Sequence, residues 1–187
     1  MYNFKLTNKM SESKFSLKKV KLLPAGGLEV EYSKIEVRDA TSAVTDYKAK
    51  FEDAEVHPDL LNAFRELAPL VAKAIGLTAF LSAVNDSELP EALREKFSDL
   101  AEEQRQRIDV RGISLSGDDE DEGVVITSVL ETKNGLKTCI NTPRIKFKQV
   151  SYGFEERLDY LVQSIREEVR AFIIDGKTAN PSLFGGE

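Results

Sequence analysis

A chain of 187 residues, 41% hydrophobic and 31% charged, is long enough to bury a core without disulfides or a structural metal. Its one cysteine, Cys139, excludes an internal disulfide and a cysteine-based metal site. No apolar stretch approaches the roughly 18 residues needed to span a bilayer, and the N-terminus lacks a secretory signal pattern, so a cytoplasmic protein is expected.

Net charge is −6, and its distribution matters more than its sum. Between Met1 and Leu28 stand Lys5, Lys9, Lys14, Lys18, Lys19 and Lys21 against the single acid Glu12. Between Thr132 and Phe154 stand Lys133, Lys137, Arg144, Lys146 and Lys148 with no acid. Most remaining acids fall in helical segments and in the run Asp118–Glu122. Strand-forming segments that are basic, and helices that are acidic, are the expectation.

In chain order, residues 1–13 show no periodicity. Lys14 to Leu23 carries apolar residues on both parities, which predicts a strand with a bulge. Pro24-Ala-Gly-Gly27 is a turn. Leu28, Val30 and Tyr32 alternate with Glu29 and Glu31 in a second strand, and Tyr47–Glu52 predicts a third. Helical spacing begins at Pro58, with His57 or Asp59 at the cap, and Pro69 predicts a kink or division near Ala68. An apolar segment at 77–84, a loop and a polar helix from Glu91 to Arg107 follow.

The second half repeats the order. Three strands are expected: Val110–Leu115; Gly123–Leu130, which turns at Asn134-Gly135 and returns through Leu136 to Asn141; and a third segment, Arg144–Lys148, that leads into the helix. An amphipathic helix runs from Phe154 to Ile174, its stripe made by Phe154, Leu158, Leu161, Ile165, Val169, Phe172 and Ile173. The result reads as β-β-β-α twice, either an order that mixed folds produce by chance or a pseudo-twofold pair of halves. The fold class expected is α+β, antiparallel strands with helices on one face. The divisions are 1–107, 108–176 (sharing one core with the first) and a flexible tail at 177–187.

Chemistry-bearing patterns are sparse. His57 has no recognisable catalytic or metal partner and reads as a capping histidine; no nucleophile elbow or phosphate loop occurs, and Cys139 reads as a packed strand residue. No catalytic residue, metal or cofactor is therefore expected. Asp118–Glu122 reads as a solvated acidic tip, or as an acidic contact for a partner. In Arg144-Ile-Lys-Phe-Lys148, strand alternation puts Arg144, Lys146 and Lys148 on one face. With Lys133, Lys137, Lys18, Lys19 and Lys21 they form a candidate track for phosphates, with Tyr152 or Phe154 available to stack bases. The same lysines would equally protect an edge strand.

Ser182-Leu-Phe184 resembles the end of the short peptide that binds bacterial sliding clamps, with Asn180 and Pro181 departing from its pattern. That resemblance makes Leu183 and Phe184 candidate anchors for a clamp or another replication protein. Arg111-Gly-Ile-Ser-Leu, Gly123-Val-Val-Ile-Thr, Ile140-Asn-Thr-Pro143 and the helix ending Asp175-Gly-Lys-Thr resemble small uncharacterised proteins of tailed bacteriophages over residues 110–184. The resemblance implies a phage or prophage setting inside a host cytoplasm. The expected function is non-enzymatic binding of single-stranded DNA; the alternative is a protein-interaction module, either an oligomeric structural protein or an inhibitor of a host factor.

Overall fold

The computed structural model describes residues 14–38, 41–52, 54–76, 91, 107–132, 134–149 and 153–178. Expectations at 1–13, 77–90, Lys133, Tyr152 and the tail from 179 onward, with Leu183 and Phe184, lie outside the described residues, as does the helix expected from Glu91 to Arg107 apart from helical Glu91 and Arg107, which lies in a turn. The strands are β1 (Lys14–Leu22), β2 (Gly27–Arg38), β3 (Thr41–Glu52), β4 (Ile108–Ser116), β5 (Gly123–Glu131), β6 (Lys137–Asn141) and β7 (Ile145–Lys146). The helices are α1 (Pro58–Glu66), α2 (Ala68–Ala74) and α3 (Glu155–Asp175). All strand pairs are antiparallel, in the order β3-β2-β1-β4-β5-β6, with β7 beside β5. The α+β expectation holds.

The double apolar parity of β1 has a geometric cause. Leu17 and Val20, three apart, would face opposite sides of a regular strand. An extra residue, Lys18, interrupts the register between Leu17 and Lys19, and both apolar side chains turn inward. In β4 the extra residue Arg111 does the same for Val110 and Ile113.

The repeated element order is also a repeated register. Leu17 pairs with Tyr32 as Val110 pairs with Ser128, and Val20 with Val30 as Ile113 with Ile126. In the middle of the sheet Val20 and Ile113 pair with each other, so the halves meet about a local pseudo-twofold axis. The third strands correspond too. Leu28 pairs with Phe51 and Val124 with Ile145, so β6 and β7 together occupy the place of β3, interrupted near Thr142–Arg144.

At α1, His57 is the N-cap as expected: its Nδ1 accepts the Asp59 N–H at 3.3 Å, and Pro58 opens the first turn, where no N–H is needed. The helix breaks at Leu67, because Pro69 has no N–H to offer Arg65 and its ring crowds that carbonyl. Helix α3 stops at Gly176 (φ 67°), where Lys177 N–H reaches the Ala171 carbonyl at 3.1 Å.

Leu158, Leu161, Val162, Ile165, Val169 and Phe172 make the buried stripe of α3, each contributing about 1.5–3 kcal/mol by burial. They join the inward residues of β1, β2, β4 and β5 and those of α1 and α2 in one cluster. Helix α3 packs on β1 and on α1, and α1 packs on β4, so each half lays its helix across the other half's first strand. The two halves therefore share a core.

Candidate functional site

With the described helices on one side, the opposite side of the sheet is built from residues of the other parity. Two rows cross it: Lys48, Glu31, Lys19, Ser114 and Val125; then Lys50, Glu29, Lys21, Gly112, Thr127 and Asn141. Lys146 reaches the same side, since it opposes Gly123 while its neighbour Ile145 is buried against Val124.

Lys19, Lys21 and Lys146 thus share a face, but so do acids that the charge tally over loose segments did not resolve. Lys48 lies 3.1 Å from Glu29 and 3.0 Å from Glu31, and Lys19 lies 3.6 Å from Glu31. Lys18, the bulge residue, sits 2.8 Å from Asp46, which also accepts from Ser33 Oγ at 2.6 Å. Lys137 stands 3.5 Å from Glu131, and Lys50 pairs with Glu52. Hydrogen bonding to Lys48 holds the Glu29 and Glu31 carboxyls below the usual range, and Lys18 does the same to Asp46. The expected segregation of charge, cations on strands and acids on helices, gives way to alternation on the strands themselves.

The basic strand at Arg144–Lys148 needs correction as well. Only Ile145 and Lys146 are strand; Phe147 and Lys148 turn away, so the three cations do not form a row. Arg144 is structural. Its Nε donates to Ser116 Oγ and its Nη2 to the Ser116 carbonyl, both at 2.9 Å, and to the Asp121 carbonyl. Lys146 adds a 2.6 Å pair to Asp121, which lowers that carboxyl's pKa. Glu122, next along, pairs with Arg166 of α3. Two of the five acids in the supposed free tip are thus tied down, while Asp118, Asp119 and Glu120 stay exposed. Lys148 is exposed in the turn after β7.

Cys139 is exposed, not packed, because β6 is an outermost strand and Cys139 opposes Val129 on the helix-free side. His57, Asp59 and Glu168 place potential ligand atoms within 4.8 Å of one another. A cation already fills their midst: Lys177 Nζ lies 3.1 Å from Asp59 and 2.7 Å from Glu168, pinning the end of α3 to the start of α1. A cleft of about 410 Å³ beside the β1–β2 turn is lined by Leu22, Leu23, Val56 and Leu61 with Glu55 and Arg111, and Arg111 is paired with Asp109. Among the described residues it brings no nucleophile together with a base. None of the helices described is long and apolar enough to cross a membrane.

Sequence reasoning missed two features of this surface. One is the alternation of Lys with Glu across β1, β2 and β3, signalled only by parity within each strand. The other is the length of β3, which begins at Thr41 and not at Tyr47. No protein-family model, curated protein or solved structure matches the chain.

Proposed function

We propose that the chain is a non-enzymatic protein-interaction module that meets its partner on the helix-free face of the sheet, in the phage setting its second half suggests by resemblance. The carrying observation is the pairing of Lys18, Lys19, Lys137, Arg144 and Lys146 with carboxylates. Affinity for a phosphate backbone comes from cations that shed counterions when they meet it. A lysine already beside a carboxylate gains little by the exchange, and a phosphate chain laid along these rows would also meet Glu29, Glu31 and Asp46. A mixed-charge face instead provides register and selectivity for a protein surface with the complementary pattern.

The single-stranded DNA reading keeps one observation in its favour, the common face of Lys19, Lys21 and Lys146. One pair of experiments separates the two. A labelled single-stranded oligonucleotide at low ionic strength is expected to show no binding. Binding that falls steeply with added salt, and disappears in a Lys19→Glu/Lys21→Glu/Lys146→Glu variant that still folds, would restore the DNA reading. A photo-cross-linking residue at Thr127 on the open face is expected to capture protein, and one at Gln163 on the exposed side of α3 is not.

A further inference from the structure

The pseudo-twofold axis puts two strands in equivalent outer positions, and the chain treats them differently. Proteins guard an outermost strand by keeping it short, bulging it or placing proline in it. The edge made by β6 and β7 is short and broken: five residues and then two, with the pairing interrupted at Thr142–Arg144, where Pro143 stands. The strand β3 has none of these features; its one guard is charge, Lys48 and Lys50, each already paired with carboxylates of its own chain. Its twelve residues contain no proline and pair with β2 in unbroken register, and no described strand pairs with its other side. Val44 is 62% exposed and Tyr47 39% exposed along it.

From this asymmetry we propose that β3 is a self-association edge: it pairs antiparallel with β3 of a second copy, centred on Tyr47 opposite Tyr47. The proposal goes beyond the interaction reading above: it adds a contact at the edge of the sheet, separate from the helix-free face. A twofold axis normal to the sheet keeps the helices of both copies on one side, and it requires residues of equal parity to oppose one another. Among the registers that satisfy this and keep most of β3 paired, charge favours one. Centred on Tyr47, Lys48 of each copy faces Asp46 of the other, twice, and Ala49 faces Thr45. Moved by one residue to either side, the centre brings Lys48 onto Lys48, or Asp46 onto Asp46. Centred on Ala49, it sets Lys48 against Lys50.

The aromatic side chains support the same centre. Phe15, Tyr32 and Tyr47 form a row across β1, β2 and β3, each ring centroid 5.1 Å from the next, with Tyr32 and Tyr47 stacked at 13°. The row stops at the exposed edge of the described sheet. With Tyr47 on the axis it continues through a second Tyr47 into the partner's row, and burying these faces is the apolar gain that the charge pairs alone would not provide.

The test begins with the unmodified chain. Sedimentation equilibrium is expected to give about twice the 20.9 kDa chain mass, dissociating on dilution; a monomer at all concentrations reached overturns the proposal. The register is read by disulfide trapping in a Cys139→Ser background. Residues opposed in an antiparallel pair have Cα atoms about 4.5–5.5 Å apart, within reach of a disulfide. Tyr47→Cys is therefore expected to cross-link to itself under mild oxidation. Ala49→Cys, whose copies would stand about 14 Å apart along the strand at roughly 3.4 Å per residue, is not. Ala49→Cys should cross-link to Thr45→Cys when the two chains are mixed. A dimer that traps through Ala49→Cys alone, or through neither, overturns the edge and its register. A monomer that still captures a protein through Thr127 would sink the dimer and leave the interaction reading standing. A dimer that binds oligonucleotide would do the reverse.

Discussion

Thr142 shows how a single hydroxyl repairs a break in a ladder. In the first half Val30 opposes Ala49 in a regular strand pair. In the second half the chain leaves the strand after Asn141 and rejoins at Ile145, so at the corresponding place Thr142 N–H donates to the Ile126 carbonyl at 3.0 Å while its Oγ1, not its carbonyl, accepts the Ile126 N–H at 3.0 Å. Both residues are buried, and the orphaned amide of Ile126 would have no water to turn to. Thr142→Val is expected to cost about 1–3 kcal/mol in urea unfolding. Thr142→Ser keeps the acceptor, removes one methyl and should cost under about 1 kcal/mol. A Thr142→Val variant as stable as the unmodified chain would show that the hydrogen bond does not matter there. Nothing in the sequence singled out Thr142, because the role of its hydroxyl depends on where Ile126 lies in space.

At the scale of elements, the connection from β4 to β5 carries more order than a run of five acids suggests. Gly117 adopts φ +79°, and a Cβ there would lie 2.6 Å from Arg144 Nη2 and closer still to the Asp121 backbone. The glycine lets the acidic turn fold back so that Arg144 and Lys146 clamp it. Gly117→Ala combines a strained backbone with that collision and is expected to lower stability by at least about 1 kcal/mol. Amide exchange in the turn at Asp119–Asp121 should accelerate by more than exchange in α3; uniform acceleration would mean that the turn is not a local unit. Elements with strong periodicity were legible: the bulged first strand (though not the bulge's place at Lys18), the capped α1, the break at Pro69 and the stripe of α3. The strand expected at Arg144–Lys148 was not, since its alternation is also what a clamp on Asp121 and a two-residue strand happen to produce.

Across the whole molecule, electrostatics should set a characteristic pH profile. The carboxyls of Glu29 and Glu31 (hydrogen-bonded by Lys48), Asp46 (by Lys18), Glu52 (by Lys50) and Asp121 (by Lys146) are all held below their usual range. Each such group adds stability that is fully present above its unfolded pKa, about 4, and is lost as pH falls through the lowered folded value. Lys48 and Lys50, raised by hydrogen bonds to Glu31 and to Glu52, and Lys177, raised by Glu168, act in the opposite sense. Their contribution holds below about pH 10.4 and fades as pH climbs beyond it. The urea midpoint should therefore be flat near neutrality and decline below about pH 4. Because these pairs are exposed, molar salt should flatten the acid limb; an acid limb that salt leaves unchanged would place its origin in buried groups instead.

Read alone, the sequence determined the class of fold and the order and type of most described elements, and it offered the doubling of β-β-β-α as one reading beside chance. These follow from local periodicity, and local periodicity is a property of the chain. Only the tertiary structure decided which charges meet. Lys19 and Glu31, Lys18 and Asp46, and Lys146 and Asp121 are brought together by strand pairing and turn closure, and Coulomb interactions respond to distance in space, not along the chain. The same pairing left β3 without a described neighbour on one side and broke the edge made by β6 and β7, a difference invisible until the strands had been set in order.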